Sequence, residues 1–390
     1  MEVKKLEYLN NVINKEIDDG KISGAAICIL HENNQVFRKE YGLANIENKQ
    51  PIKENTIYRM YSMTKPVTAA AAMILFERGQ LNLLAPVSNY LEGFHNQKVW
   101  TEDGHVELNR LVTVQDLLNM TSGVVYPDGS FEVGRQMGAL YDEAAQLFEK
   151  NTPFDTIEFC NRMGQVPLAF QPGDRWHYSA SADVLGAVIE VASGKRFRDF
   201  LKDEIFIPLG MVDTDFYVPS EKLERFAQMY DYVEDRKALV PFRNYFLGLY
   251  HYESCPAFES GGAGLVSTID DYAKFALMLA NNGVYNGIRI LGKKSVDYIG
   301  EPQLTNEQAI TYNWDSINGY SYGNLMRILV DPVKASSNGS VGEFGWDGWA
   351  GNYFMVDRKE NLVMLYMIQR CGGTNPDLMR RMRAIIYGAI

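Results

Sequence analysis

The stretch from Tyr58 to Gly79 constrains this chain more than any other. Its second half, Val67-Thr68-Ala69-Ala70-Ala71-Ala72-Met73-Ile74-Leu75-Phe76, is alanine-rich and almost wholly apolar. It predicts one buried helix, with Gly79 as its stop. Ser62 and Lys65, the only Ser-x-x-Lys pair in the chain, stand where that helix begins. Three residues apart, they share a helix face within side-chain reach of each other. Free backbone N–H groups and the helix dipole favour negative charge at such an N-terminus. A hydroxyl held there beside an amine is an activated nucleophile. The pair alone also fits a helix cap with a solvated lysine. The apolar run behind Lys65 favours the catalytic reading, since burial stabilises the neutral, basic form of a lysine.

The remainder of the chain narrows the setting. At 390 residues, two packed units are expected. A net charge of −11 argues against nucleic acid or an anionic membrane surface as partner. The longest wholly apolar run, Ala69 to Phe76, is too short to span a bilayer, and Met1 to Glu7 lacks the apolar core of a signal peptide. Cys28, Cys160, Cys255 and Cys371 show no CxxC spacing and read as reduced core thiols, which suits a cytoplasmic protein.

Residues 6 to 19 carry apolar side chains at helical spacing, and Gly24–Leu30 with Gln35–Gly42 read as a hairpin around Glu32-Asn33-Asn34. From Leu83 onward the pattern is helical segments split by polar loops. The glycine-rich Ser260–Leu265 returns the chain to strand, followed by a helix over Ile269 to Asn281. Asn352–Asp357 and Asn361–Gln369 read as paired strands, and a helix begins near Pro376. The economical architecture is one α/β domain made from residues 1–82 and 255–390, with a mainly helical domain, 83–254, inserted between. The alanine helix then lies at the junction, where ligands usually bind.

A serine nucleophile usually asks for histidine, but the chain has no Gly-x-Ser-x-Gly elbow, and none of its five histidines has the context of a base. Trp176-His177-Tyr178-Ser179-Ala180-Ser181 offers another candidate, since a tyrosine at the mouth of a helix beside a cation can give or take a proton. Gly342 to Gly351 is laced with glycine and lets backbone approach a ligand closely; its N–H groups can complete an oxyanion hole begun by that of Ser62. Taken alone, Tyr178 is more readily a packing aromatic, and the glycine segment as readily a hairpin turn with two packed tryptophans.

Together and in this order, Ser62-Met63-Thr64-Lys65, the Tyr178 loop and Trp346-Asp347-Gly348 resemble the serine β-lactamase and penicillin-binding-protein superfamily. Leu117 to Gly123 and Gly264 to Thr268 match its patterns too, so the resemblance spans nearly the whole chain. It is greatest to the class C β-lactamase-related branch, and within that to the family VIII carboxylesterases. The resemblance implies an antiparallel sheet flanked by helices, with an inserted helical domain. It implies Ser62 as nucleophile, Lys65 as its base, Tyr178 as proton relay, and backbone N–H groups of Ser62 and Trp349 as oxyanion hole. Trp346, Asp347, Gly348, Ala180 and Ser181 would border the substrate. No metal or cofactor is called for.

Two departures bear on substrate. The β-lactamases and D-alanyl peptidases usually carry an asparagine where this chain has Ala180, and a cation where it has Trp346. Both losses remove polar recognition of a β-lactam or peptide while sparing the acyl-transfer machinery. The expectation is therefore a carboxylesterase for small to medium, fairly apolar esters. A β-lactamase or D-amino-acid peptidase, an acyltransferase and a non-catalytic penicillin-binding sensor or scaffold stand as alternatives. The natural ester and the oligomeric state are not legible.

Overall fold

From Ala25 to Leu30 successive side chains fall alternately into two cores, as the period of a strand requires. Ala26, Cys28 and Leu30 join one core; Ala25, Ile27 and Ile29 join the other. A strand apolar on both faces must lie inside a covered sheet, and this one does. The computed structural model describes every residue except Asp128, Ser130, Phe131 and 244–246. Its main sheet has eight strands: β1 (Gly24–His31), β2 (Asn34–Asn45), β3 (Gln50–Pro51), β4 (Tyr320–Gly323), β5 (Met326–Leu329), β6 (Phe344–Asp347), β7 (Tyr353–Asp357) and β8 (Leu362–Met367). Their order is β4-β5-β6-β7-β8-β1-β2-β3, antiparallel throughout. The first and last parts of the chain thus zip together at β1 and β8, with Ala26 opposite Met367 and His31 opposite Leu362.

Helices α1 (Tyr8–Asp18) and α5 (Pro376–Tyr387) cover one face through Leu9, Ile13, Met382 and Ile386. On the other face lies the larger core, which contains α2 (Thr64–Glu77), α3 (Ser181–Ser193) and α4 (Ile269–Ala280). Every residue of α2 from Thr64 to Leu75 is buried. Its alanines let neighbours approach closely: the Thr68 hydroxyl donates to the Gly261 carbonyl at 2.7 Å. A Cβ on Gly261 would fall 2.3 Å from the Ala182 carbonyl of α3, so glycine is required between the two helices.

The expected hairpin, alanine helix, terminal helices and paired strands are all present. Three features differ. The segment between α2 and α4 holds two small hairpins, Lys98–Thr101 with Gly104–Glu107 and Tyr230–Val233 with Ala238–Pro241, where sequence pattern indicated only helices and loops. β4 and β5 form a further hairpin whose turn residues, Asn324 and Leu325, are both left-handed. Of the four thiols, Cys28 and Cys160 are buried, whereas Cys371 is half-buried and Cys255 exposed. Among the described residues, no helix is long and apolar enough to cross a membrane.

Candidate active site

Ser62 sits in a single 3₁₀ turn, Tyr61–Met63, that runs directly into α2. Both sides of that turn are tied down. Ahead of it, Tyr58–Arg59 pairs with Val266–Ser267, and the Met60 amide donates to the Leu265 carbonyl at 2.9 Å. Behind it, the Tyr272 hydroxyl donates to the Met63 carbonyl at 2.7 Å. Tyr61 has φ of +46°, a costly conformation for a bulky residue that persists only where its surroundings over-determine it. The result leaves Ser62 half-exposed between two fully buried neighbours.

Two side chains, Lys65 and Tyr178, converge on that hydroxyl. Lys65 Nζ lies 3.3 Å from Ser62 Oγ and donates to the Tyr126 hydroxyl at 3.1 Å and the Gly262 carbonyl at 2.9 Å. Its side chain is wholly buried, so these partners replace water. Tyr178 donates to Ser62 Oγ at 2.7 Å and accepts from the Trp346 indole N–H at 3.2 Å. Lys65 Nζ also stands over the Tyr178 ring, 4.6 Å from its centroid. Such a cluster can carry a proton off Ser62 and deliver one to a departing group, all within hydrogen-bond reach.

Two contributors carry no motif. Tyr126 is buried, and burial first, then the nearby Asp183, hold its hydroxyl far above the ordinary tyrosine range. It therefore stays a neutral phenol and serves as a hydrogen-bond partner for Lys65. Asp183 accepts from the Gly262 amide at 3.0 Å and from the Ser260 hydroxyl, fixing the turn whose carbonyl meets Lys65. Burial pushes its carboxyl up, opposed by the charge of Lys65. Replacing Tyr126 with phenylalanine is expected to lower kcat about tenfold to a hundredfold, the cost of leaving the buried Lys65 amine short of one hydrogen-bond partner. A kcat within about twofold of wild type, with unchanged melting temperature, would show that Lys65 does not need this partner.

β6 brings the glycine-laced segment to Ser62. A Cβ on Gly348 would fall 2.4 Å from the Met60 carbonyl, so only glycine allows the strand end to lie against the Ser62 turn. The Gly348 amide donates to Asn352 O at 2.8 Å, and the Asn352 side-chain amide donates to Arg59 O at 2.7 Å. Trp349 packs edge-on against Tyr61, the residue before Ser62, with ring centroids 5.3 Å apart.

The other residues singled out from sequence take separate places around this cluster. Trp346 is 2% exposed and forms the wall behind Tyr178. Trp176 is buried too, whereas Trp314, not singled out, is 42% exposed and packs edge-on to Tyr178. Ala180 is fully buried, and the Ser181 hydroxyl is in a buried chain with those of Ser122 and Ser179, at 2.8 Å each. Asp347 points to the opposite face of the sheet from Trp346, into a polar recess shared with Arg327, Tyr353 and Thr374. His177 packs against Phe170, away from this cluster.

Residues 9–388 match the beta-lactamase family. Esterase EstB of Burkholderia gladioli is 30% identical over 372 residues, covering 92% of this chain and 89% of that protein. Lovastatin esterase of Penicillium rubens is 29% identical over 394 residues, covering 93% and 92%. Among solved structures, EstCE1, described as a hydrolase with promiscuous acyltransferase activity, superposes with a TM-score of 0.83 at 23% identity, covering 99% of both chains. Simvastatin synthase (LovD) of Aspergillus terreus gives 0.81 at 22%, covering 98% of both. The match to the family runs through every element that builds the Ser62 cluster, and the chain belongs to the beta-lactamase family.

Proposed function

We propose that this serine hydrolase is a carboxylesterase, in which Ser62 attacks the carbonyl carbon of an apolar ester. The observation that carries the reading is the placement of Ser62 Oγ between Lys65 Nζ and the Tyr178 hydroxyl, 3.3 Å and 2.7 Å away. As Oγ bonds to carbon, its proton passes to the lone pair of Lys65 Nζ, which restores the Tyr178 hydroxyl once that has given its own proton to the leaving group. The carbonyl oxygen becomes an oxyanion, held by the backbone N–H groups of Ser62 and Trp349. When the ester C–O bond breaks, Tyr178 returns a proton to the alkoxide, which leaves as alcohol. Water then attacks the acyl-Ser62 ester along the same relay and frees the acid.

Esters rather than β-lactams or D-peptides are favoured by the positions that flank this machinery. Trp346 spends its one polar N–H on Tyr178, and Ala180 is fully buried. Neither can hold an amide or neutralise a carboxylate, and leaving such groups desolvated and unpaired costs roughly 1–3 kcal/mol each, more when charged. The esterase relatives fit the same reading. The test is a panel on one preparation: p-nitrophenyl butyrate, nitrocefin and a D-alanyl dipeptide. The butyrate ester is expected to lead in kcat/KM by about two to four powers of ten, the range those two unpaired groups convert to. Nitrocefin turned over as efficiently as the ester would place this chain with the lactamases.

A further inference from the structure

A cavity of about 270 Å³ is walled by Phe148, Phe154, Phe159, Tyr250 and Phe258. We propose that it seats the acyl chain of the ester, a deepening that rests on the carboxylesterase reading above. Its aromatic walls suit an alkyl or aryl group, with Asn151 and His251 also on the lining. Phe148 stacks on Tyr250 at 4.5 Å, and Phe159 meets Phe258 edge-on at 4.8 Å. Such rigid aromatic walls offer large apolar contact at low entropic cost.

Contact with the Ser62 turn comes through one side chain. Leu249 lines the cavity and also packs into the small cluster that holds Tyr61, Ala263 and Trp349. Gly264 lines it as well, two residues from the Gly262 carbonyl that receives Lys65. Leu247 and Gly248, which lead into Leu249, are both left-handed, at φ +53° and +74°. A Cβ on Gly248 would come within 3.3 Å of Phe258, so this partition is pressed close against the aromatic wall.

The choice of acyl over alcohol follows from the direction of the strand. β6 and its extension run past Ser62 from Trp346, beside Tyr178, to Trp349, beside Tyr61. If Tyr178 protonates the departing alkoxide, the alcohol lies at the Tyr178 end. The acyl remainder then points toward Tyr61, Trp349 and Leu249, and so toward the cavity.

The experiment fills the cavity and varies each half of the ester separately. Ala144 and Ala257 line it on different elements, so Ala144→Phe and Ala257→Phe fill it independently, and either serves if the other fails to fold. In wild type, kcat/KM for p-nitrophenyl esters should climb about fourfold per methylene from acetate to hexanoate, the transfer value of a buried CH₂. Filling should flatten that climb while changing acetate less than about twofold, and should leave a series of alkyl acetates unaffected. Equal loss on all acyl lengths, no loss on any, or a loss confined to the alkyl acetates would each overturn the assignment. Binding of p-nitrophenyl hexanoate to Ser62→Ala, followed by calorimetry, separates the two proposals. Binding that Ala144→Phe or Ala257→Phe abolishes keeps the cavity assignment even if no ester is turned over; binding that neither variant weakens removes it.

Discussion

Ser62→Ala is expected to abolish turnover, with kcat falling by about 10⁴–10⁶, because in the proposed mechanism the hydroxyl forms the covalent intermediate. The fold should not notice. Ser62 is half-exposed, and the turn around it is anchored by backbone and by Tyr272, not by its own side chain. A serine-directed phosphonate should label wild type once, at Ser62, as read by peptide mass spectrometry. Labelling at another serine, or near-normal activity in the alanine variant, would end the assignment. Lys65→Ala should be nearly as damaging, and the double variant little worse than either, since members of one nucleophile–base unit do not contribute additively. Their stabilities should part company. Removing Lys65 leaves the Tyr126 hydroxyl and Gly262 carbonyl without their donor in a buried site, so the melting temperature should drop only in the lysine variants.

What was legible in the sequence followed short-range pattern. The strand alternation of Gly24–His31, the alanine run of α2 and the spacing of Ser62 to Lys65 are set within a few residues, and the structure keeps all three. Longer-range placements were hidden. Tyr126 is 61 positions from Lys65, in the apolar run Val124-Val125-Tyr126 with no signature spacing, so its contact exists only through the fold. Sequence alone puts Trp346 against the substrate. Only the register of β6 reveals that its indole N–H serves Tyr178 and that Asp347, one position on, faces the other side of the sheet. The β4–β5 hairpin escaped for a local reason: Leu325 takes a left-handed turn position that Gly or Asn would have advertised. In the Lys98–Glu107 hairpin the Asp103-Gly104 signal was present, but it is surrounded by charged and exposed residues that read as loop.

Tyr178→Phe is expected to cut kcat by about 10²–10⁴, the usual weight of general acid–base assistance. The ring itself is held by Trp176, Trp314 and Trp346, contacts that phenylalanine keeps, so the melting temperature should barely move. This separates the hydroxyl from the packing. Trp346→Phe provides the comparison. It removes the single N–H that the Tyr178 hydroxyl accepts, at 3.2 Å, and should cost about threefold to tenfold, one neutral hydrogen bond. If Tyr178 acts through its proton, the Trp346 effect should shrink sharply in the Tyr178→Phe background, because the indole no longer has a hydroxyl to orient. Additive effects would mean that Trp346 acts independently, on shape. A Tyr178→Phe enzyme that kept most of its rate while His177→Ala lost it would move the relay to histidine. The geometry speaks against that outcome, since His177 turns toward Phe170 while the Tyr178 hydroxyl already holds Ser62 Oγ at 2.7 Å.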